Sequence, residues 1–197
     1  MTSVNTIGAA ALPAWCTRLL STLDDCDARA SRVAGALTSA QLNWSPRPGA
    51  WSIGQCIDHL NVTNRTYFAA LSAAVERAHR DGLRRAGPIR STWFGRRFVA
   101  MLEPPVRVKT RTLKAIRPAE RRHKAEVWPE FVRQHTHLRR CLESWASVDL
   151  NRAVFRNPLG PFGRLRAGTA LCIIVAHDRR HVWQASRVRG AAGFPRS

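Results

Sequence analysis

Apolar residues return at intervals of three and four over four long stretches of the chain, the spacing that lines one face of an α-helix. In the first, about residues 13–37, Cys16, Leu19, Leu20, Leu23, Cys26, Ala30, Val33 and Leu37 form one stripe, and Pro13 suits a first helical turn. The second has the clearest start: Ser52 caps it, Gln55 completes a capping box, and Trp51 and Cys56 occupy the two positions of a hydrophobic staple. Ile53, Ile57, Leu60, Tyr67, Leu71 and Val75 then carry it to about Arg80. The third is predicted to begin near Trp128-Pro129, with Glu130 complementing the dipole of its first turn. Its stripe is Phe131, His135, Leu138, Leu142 and Trp145. The fourth is predicted over about 165–189, stopped by Gly190. No internal repeat and no alternating strand pattern interrupts this picture.

The connections set the architecture. A polar, proline-containing segment, 38–50, joins the first two helices. Between the second and third lie the 45 residues 80–124, with a short helix predicted over 91–102 and ended by Pro104-Pro105. A crossover of that length lets the two middle helices run parallel instead of closing a tight hairpin. The expectation is an all-α four-helix bundle over residues 13–190, with tails at 1–12 and 191–197.

Charge changes the picture less than its size suggests. The net charge is +19, and 29 of the 32 basic residues are arginine, the bias GC-rich codons produce. The crossover alone holds fourteen basic and three acidic residues. No helix-turn-helix, zinc-finger or RNA-binding signature accompanies them, and the basic residues are not interleaved with stacking aromatics, so no specific nucleic-acid partner is predicted. The longest apolar run, 170–176, is seven residues long, against about 20 for a membrane span. The amino-terminal stretch lacks the basic start and apolar length of a secretory signal. Five scattered cysteines without a Cys-x-x-Cys pair point to reduced thiols and a cytoplasmic location.

The chemistry lies in histidine. His177 and His181 are four apart, so on a helix they project from one face and can grip a single ion. His59, three residues beyond Cys56 at the edge of the second stripe, supplies a third imidazole from a second helix. Three protein ligands leave positions open for water or substrate, the arrangement of a catalytic ion. Three unconnected histidines, each satisfied or at the surface, are the alternative.

Gln184, one turn beyond His181, is placed either to orient a ligand or to serve as an ordinary polar flank. Asp58 and Asp178 adjoin proposed ligands but point about 100° away from them, which suits salt bridges with nearby arginines better than coordination. His135 is expected to be a buried histidine with one hydrogen bond, and Cys56 and Cys172 small core residues.

Two segments carry a family resemblance. Residues 51–60, Trp-Ser-Ile-Gly-Gln-Cys-Ile-Asp-His-Leu, resemble the W-S-x-x-x-x-x-x-H-L opening of the DinB-like (DinB/YfiT-like) proteins, and residues 176–184 resemble their closing H-x-x-x-H-x-x-Q motif. Together with the order of helices, the likeness spans roughly residues 13–190. It implies an up-down-down-up bundle, often dimeric, with His59, His177 and His181 holding a divalent metal ion such as zinc or nickel. It further implies kinship with thiol-dependent transferases and isomerases that use mycothiol or bacillithiol, and the expected function is a metal-dependent enzyme, a thiol-dependent transferase or a hydrolase. Two features stand outside the family pattern: the strongly basic crossover, and Trp183, whose large ring lies beside the closing motif. Folded over the ion, crossover arginines such as Arg96 and Arg97 would suit an anionic small-molecule substrate. The competing readings are a metal-binding or stress-response protein without turnover, and a basic nucleic-acid binder.

Overall fold

The computed structural model describes residues 11–107, 111–160 and 163–195. The first ten residues of the expected amino-terminal tail, Lys109 and the last two residues therefore lie outside the described chain. Four long helices form the bundle: α1 (Ala14–Ala34), α3 (Ile53–Arg80), α5 (Lys124–Ser144) and α6 (Ala167–Arg189). Short helices α2 (Ser39–Asn43) and α4 (Trp93–Leu102) sit in the connections, and a 3-10 turn, Lys114–Ile116, lies on the crossover.

Side-chain pairings fix the helix directions. Asp24 and Asp27 of α1 meet Arg139 and His135 of α5, so those two run antiparallel. Arg65 meets Glu130 and the Phe68 ring meets His137, so positions on α3 and α5 advance together and the two are parallel. His59 faces His177 while Asn64 meets Asp178 on α6, and Arg189 at the end of α6 reaches the Val33 carbonyl at the end of α1. The topology is up-down-down-up. The two middle helices are parallel because the crossover is long enough to return the chain to its starting end.

The capping signal of α3 operates as the sequence predicts. Ser52 Oγ accepts from the Gln55 amide at 3.1 Å, and Gln55 Oε1 accepts from the Ser52 amide at 3.0 Å. α2 carries a second capping box, Thr38 with Gln41, inside the segment read as an irregular connection. α5 starts at Lys124, ahead of the predicted Trp128-Pro129. Pro129 is its sixth residue, where the missing N–H forfeits one bond, to the Ala125 carbonyl, near the start of the helix.

A two-stranded antiparallel hairpin, β1 (Val154–Arg156) with β2 (Arg164–Arg166), precedes α6. It takes Leu165 out of the predicted helix, because strands of three residues are too short to show an alternation. Phe155 plugs the core from this hairpin at 4% exposure. Residues 191–195 fold back on the bundle: Phe194 meets Trp44 edge-on at 5.5 Å, and Gln41 donates to the Pro195 carbonyl.

Candidate metal centre

His59 and the pair His177 and His181 come from antiparallel neighbours α3 and α6, which brings their rings together at one level of the bundle. Ring centroids are 4.6–5.0 Å apart pairwise, and one ring nitrogen from each lies within 4.8 Å of the other two. His59 and His181 are buried, and His177 is half-buried. Trp51 covers the cluster, stacked on His181 at 5.6 Å and tilted against His59 at 5.0 Å. The residue read as a staple is therefore also a wall of this site.

The outer nitrogens define which atoms face inward. His59 Nδ1 lies 2.7 Å from the Ile116 carbonyl, and a carbonyl can only accept, so the ring donates from Nδ1. His181 Nδ1 donates to Gln184 Oε1 at 3.0 Å. Both rings then present Nε2 lone pairs. His59 Nε2 lies 3.2 Å from His177 Nε2, and His177 Nδ1 is buried without a hydrogen-bond partner. A proton on His177 Nε2 would satisfy one lone pair only. A divalent cation fits the whole donor set, with the outer nitrogens held by a carbonyl and an amide.

Electrostatics favour the neutral, ligating form of these rings. Burial pushes His177 down to about 3, with the charge of His59 and Arg180 adding to it. Burial also lowers His181 and His59, and Arg180 acts on both in the same direction. Arg180 is itself buried, donating to the Met101 carbonyl at the end of α4. The sequence offered no reason to single it out among 29 arginines.

The remaining predicted residues divide. Gln184 orients His181 as described. Asp58 faces away from the cluster, accepting from the Ala119 amide at 2.9 Å and pairing with Arg122 at 3.1 Å, so it pins the returning crossover. Asp178 departs from expectation: among the described residues it pairs with no arginine. Asn64 donates to its Oδ1 at 3.2 Å, and its Oδ2 lies 3.5 Å from His135 Nε2. Full burial raises its carboxyl to about 6. His135 in turn places Nδ1 2.5 Å from Asp27, so it is held between two carboxylates instead of making a single bond. Cys56 is wholly buried and Cys172 half-buried, and burial raises both thiols. Trp183 carries Arg187 over its ring at 5.2 Å and takes no part in the cluster.

A cavity of about 190 Å³ reaches His177. The crossover covers it, but with Phe94, Phe98, Leu102, Leu113 and Ile116; neither Arg96 nor Arg97 is among its lining residues. Thr63, Asn64, Tyr67 and Asn157 give it one polar wall. No described helix is long and apolar enough to cross a membrane.

Comparison with known proteins agrees with this architecture. No curated protein sequence matches the chain. A solved structure, YfiT from Bacillus subtilis, described as a probable metal-dependent hydrolase with an unusual four-helix bundle topology, matches with a TM-score of 0.58 over 95% of this chain and 93% of that one, at 13% identity. At that identity the likeness concerns the fold. The sequence profile of the DinB superfamily matches residues 22–185, a span that holds the capped start of α3, the crossover and all three clustered histidines, and the chain belongs to that superfamily.

Proposed function

We propose that the protein is a divalent-metal-dependent hydrolase whose ion is held by His59, His177 and His181. The observation that carries this reading is the convergence of three neutral imidazoles whose inward nitrogens lack a shared partner, while a carbonyl and an amide hold the outer nitrogens of two of them. When bound, such an ion polarises a carbonyl or phosphoryl group and lowers the pKa of water to about 7.

The chain's own residues do the rest. Ile116 and Gln184 hold His59 and His181 in the ligating tautomer. Trp51 shields the rings from water on one side, and the cavity gives access at His177 on the other. Burial keeps the imidazoles unprotonated, and Arg180 adds to it. Three protein donors leave coordination positions free, which favours turnover over storage.

The test is metal content of the purified, untagged protein by mass spectrometry, beside a His177→Ala/His181→Ala double variant checked for helicity. About one equivalent of a divalent ion, lost in the folded double variant, is the expected result. No metal after reconstitution with zinc or nickel would overturn the reading. Hydrolysis that proceeds without added thiol would separate this activity from thiol-dependent transfer at the same centre.

A further inference from the structure

Asp58 and His59 are consecutive on α3, and both hold the same short stretch of the crossover. His59 Nδ1 donates to the Ile116 carbonyl at 2.7 Å. Asp58 Oδ2 accepts from the Ala119 amide at 2.9 Å, and its Oδ1 pairs with Arg122 Nε at 3.1 Å. Asn43, the last residue of α2, completes the hold. Its side-chain amide donates to the Arg122 carbonyl at 2.9 Å and accepts from the Arg122 amide at 3.1 Å. The chain is therefore tied down at positions 116, 119 and 122.

The link between the first two ties is stiff. Pro118 is buried, and its ring locks φ. Arg117 precedes it and is kept out of the helical region, lying at φ −71° and ψ 131°. Ile116 ends a 3-10 turn and is buried, with its side chain in the wall of the cavity that reaches His177. Few torsions are free between the Ala119 amide and the Ile116 carbonyl, so fixing one fixes the other. The Asp58 side chain is 4% exposed, and its hold on Ala119 meets little competition from water.

We infer that Asp58 is a positioning residue for His59: through residues 116–119 it keeps the Ile116 carbonyl on His59 Nδ1, and so keeps the Nε2 lone pair turned toward the other two rings. A carboxylate that faces away from the cluster thus acts on it by way of the crossover. The effect on an ion rests on the ligand role proposed for His59, whereas the state of the metal-free ring depends on the positioning alone. Burial lowers His59 and the charge of Asp58 opposes it, favouring any cation there, so charge and position have to be separated.

The experiment compares the wild type with Asp58→Ala, Asp58→Asn and Asn43→Ala, each checked for helicity. Long-range proton–nitrogen correlation spectra of the metal-free proteins at about pH 8, where histidine is neutral, report which nitrogen of His59 carries the proton. Its signals are assigned with a His59→Gln variant. Zinc affinity is read by competition with a chelating dye. Asp58→Ala should spread the proton over both nitrogens and weaken zinc about tenfold. Asp58→Asn removes the same charge but keeps an acceptor for the Ala119 amide, so it should hold the proton on Nδ1 and weaken zinc less. Asn43→Ala changes no charge and frees the stretch at Arg122, and it should loosen the same proton.

A proton that stays on Nδ1 in both Asp58→Ala and Asn43→Ala would overturn the inference. Equal weakening of zinc by Asp58→Ala and Asp58→Asn would overturn it too, because charge alone would then account for both. The proton shift in a protein that takes up no zinc would uphold the positioning of His59 while defeating the hydrolase reading, so the two fail separately.

Discussion

Two groups of buried histidine lie on the core side of the same bundle, and they are solved in opposite ways. His135 stands between Asp27 and Asp178, with Arg139 closing the outer end, so its polar atoms and their counter-charges all come from the protein. His59 and His181 spend their outer nitrogens on the Ile116 carbonyl and on Gln184, while the inward nitrogens of the cluster face one another and no acid among the described residues. The first is faced by carboxylates of the fold on both sides. The second suits a positive ion from outside, because clustered neutral imidazoles offer lone pairs and little else. Burial of a histidine says nothing about function until the partners of both nitrogens are known.

Substitutions on either side should separate the two sites. The largest effect is expected at His135→Ala, which opens a hole under Phe131 and leaves the fully buried Asp178 facing Asp27: about 3–5 kcal/mol of stability by urea unfolding, with zinc stoichiometry unchanged. Loss of zinc with that change would show that the two sites act as one.

Next comes the ion itself. Zinc at about a hundredfold excess over its Kd should raise the unfolding free energy by about 2.7 kcal/mol in the wild type and not at all in His177→Ala/His181→Ala. Equal stabilisation of both proteins would place the ion elsewhere. Gln184→Ala should follow, weakening zinc about tenfold by competition with a chelating dye while leaving one site per chain. An unchanged affinity would reduce Gln184 to a helix flank.

The smallest effect concerns acid. Burial pushes the Asp27 carboxyl up, but His135 and Arg139 outweigh it and hold it below its ordinary 3.8. A carboxylate depressed in the folded state binds fewer protons there than in the unfolded chain. Its contribution is present above about pH 4 and is lost as pH falls further. Asp27→Asn should therefore flatten the acid limb of the stability profile below about pH 4, followed by circular dichroism, and leave metal binding alone. An acid limb identical to the wild type would remove Asp27 from the account.

Much of the fold was legible because it depends on neighbours three and four residues away. The stripes found the long helices, and the Ser52–Gln55 box located the start of α3 to the residue. Errors fell where local signals are ambiguous or too short. Pro129 resembles a helix start but sits within α5, and strands of three residues around Phe155 and Leu165 show no period. Asp178 was expected to pair with arginine because arginines adjoin it in sequence, yet its helix turns it inward to Asn64.

The histidine spacing on α6, and the membership in one stripe of the residues around His59, were properties of the chain read along its length. What brought the site together was the antiparallel packing of α3 on α6 and the return of the crossover, which delivers the Ile116 carbonyl to His59 across 57 positions. The lining of the cavity was equally invisible beforehand: a segment with fourteen basic residues covers it with phenylalanine, leucine and isoleucine. Helical periodicity is a local free-energy preference and is written in consecutive residues. Which face of a long connection turns inward is settled by burial against a surface that exists only once the helices have packed.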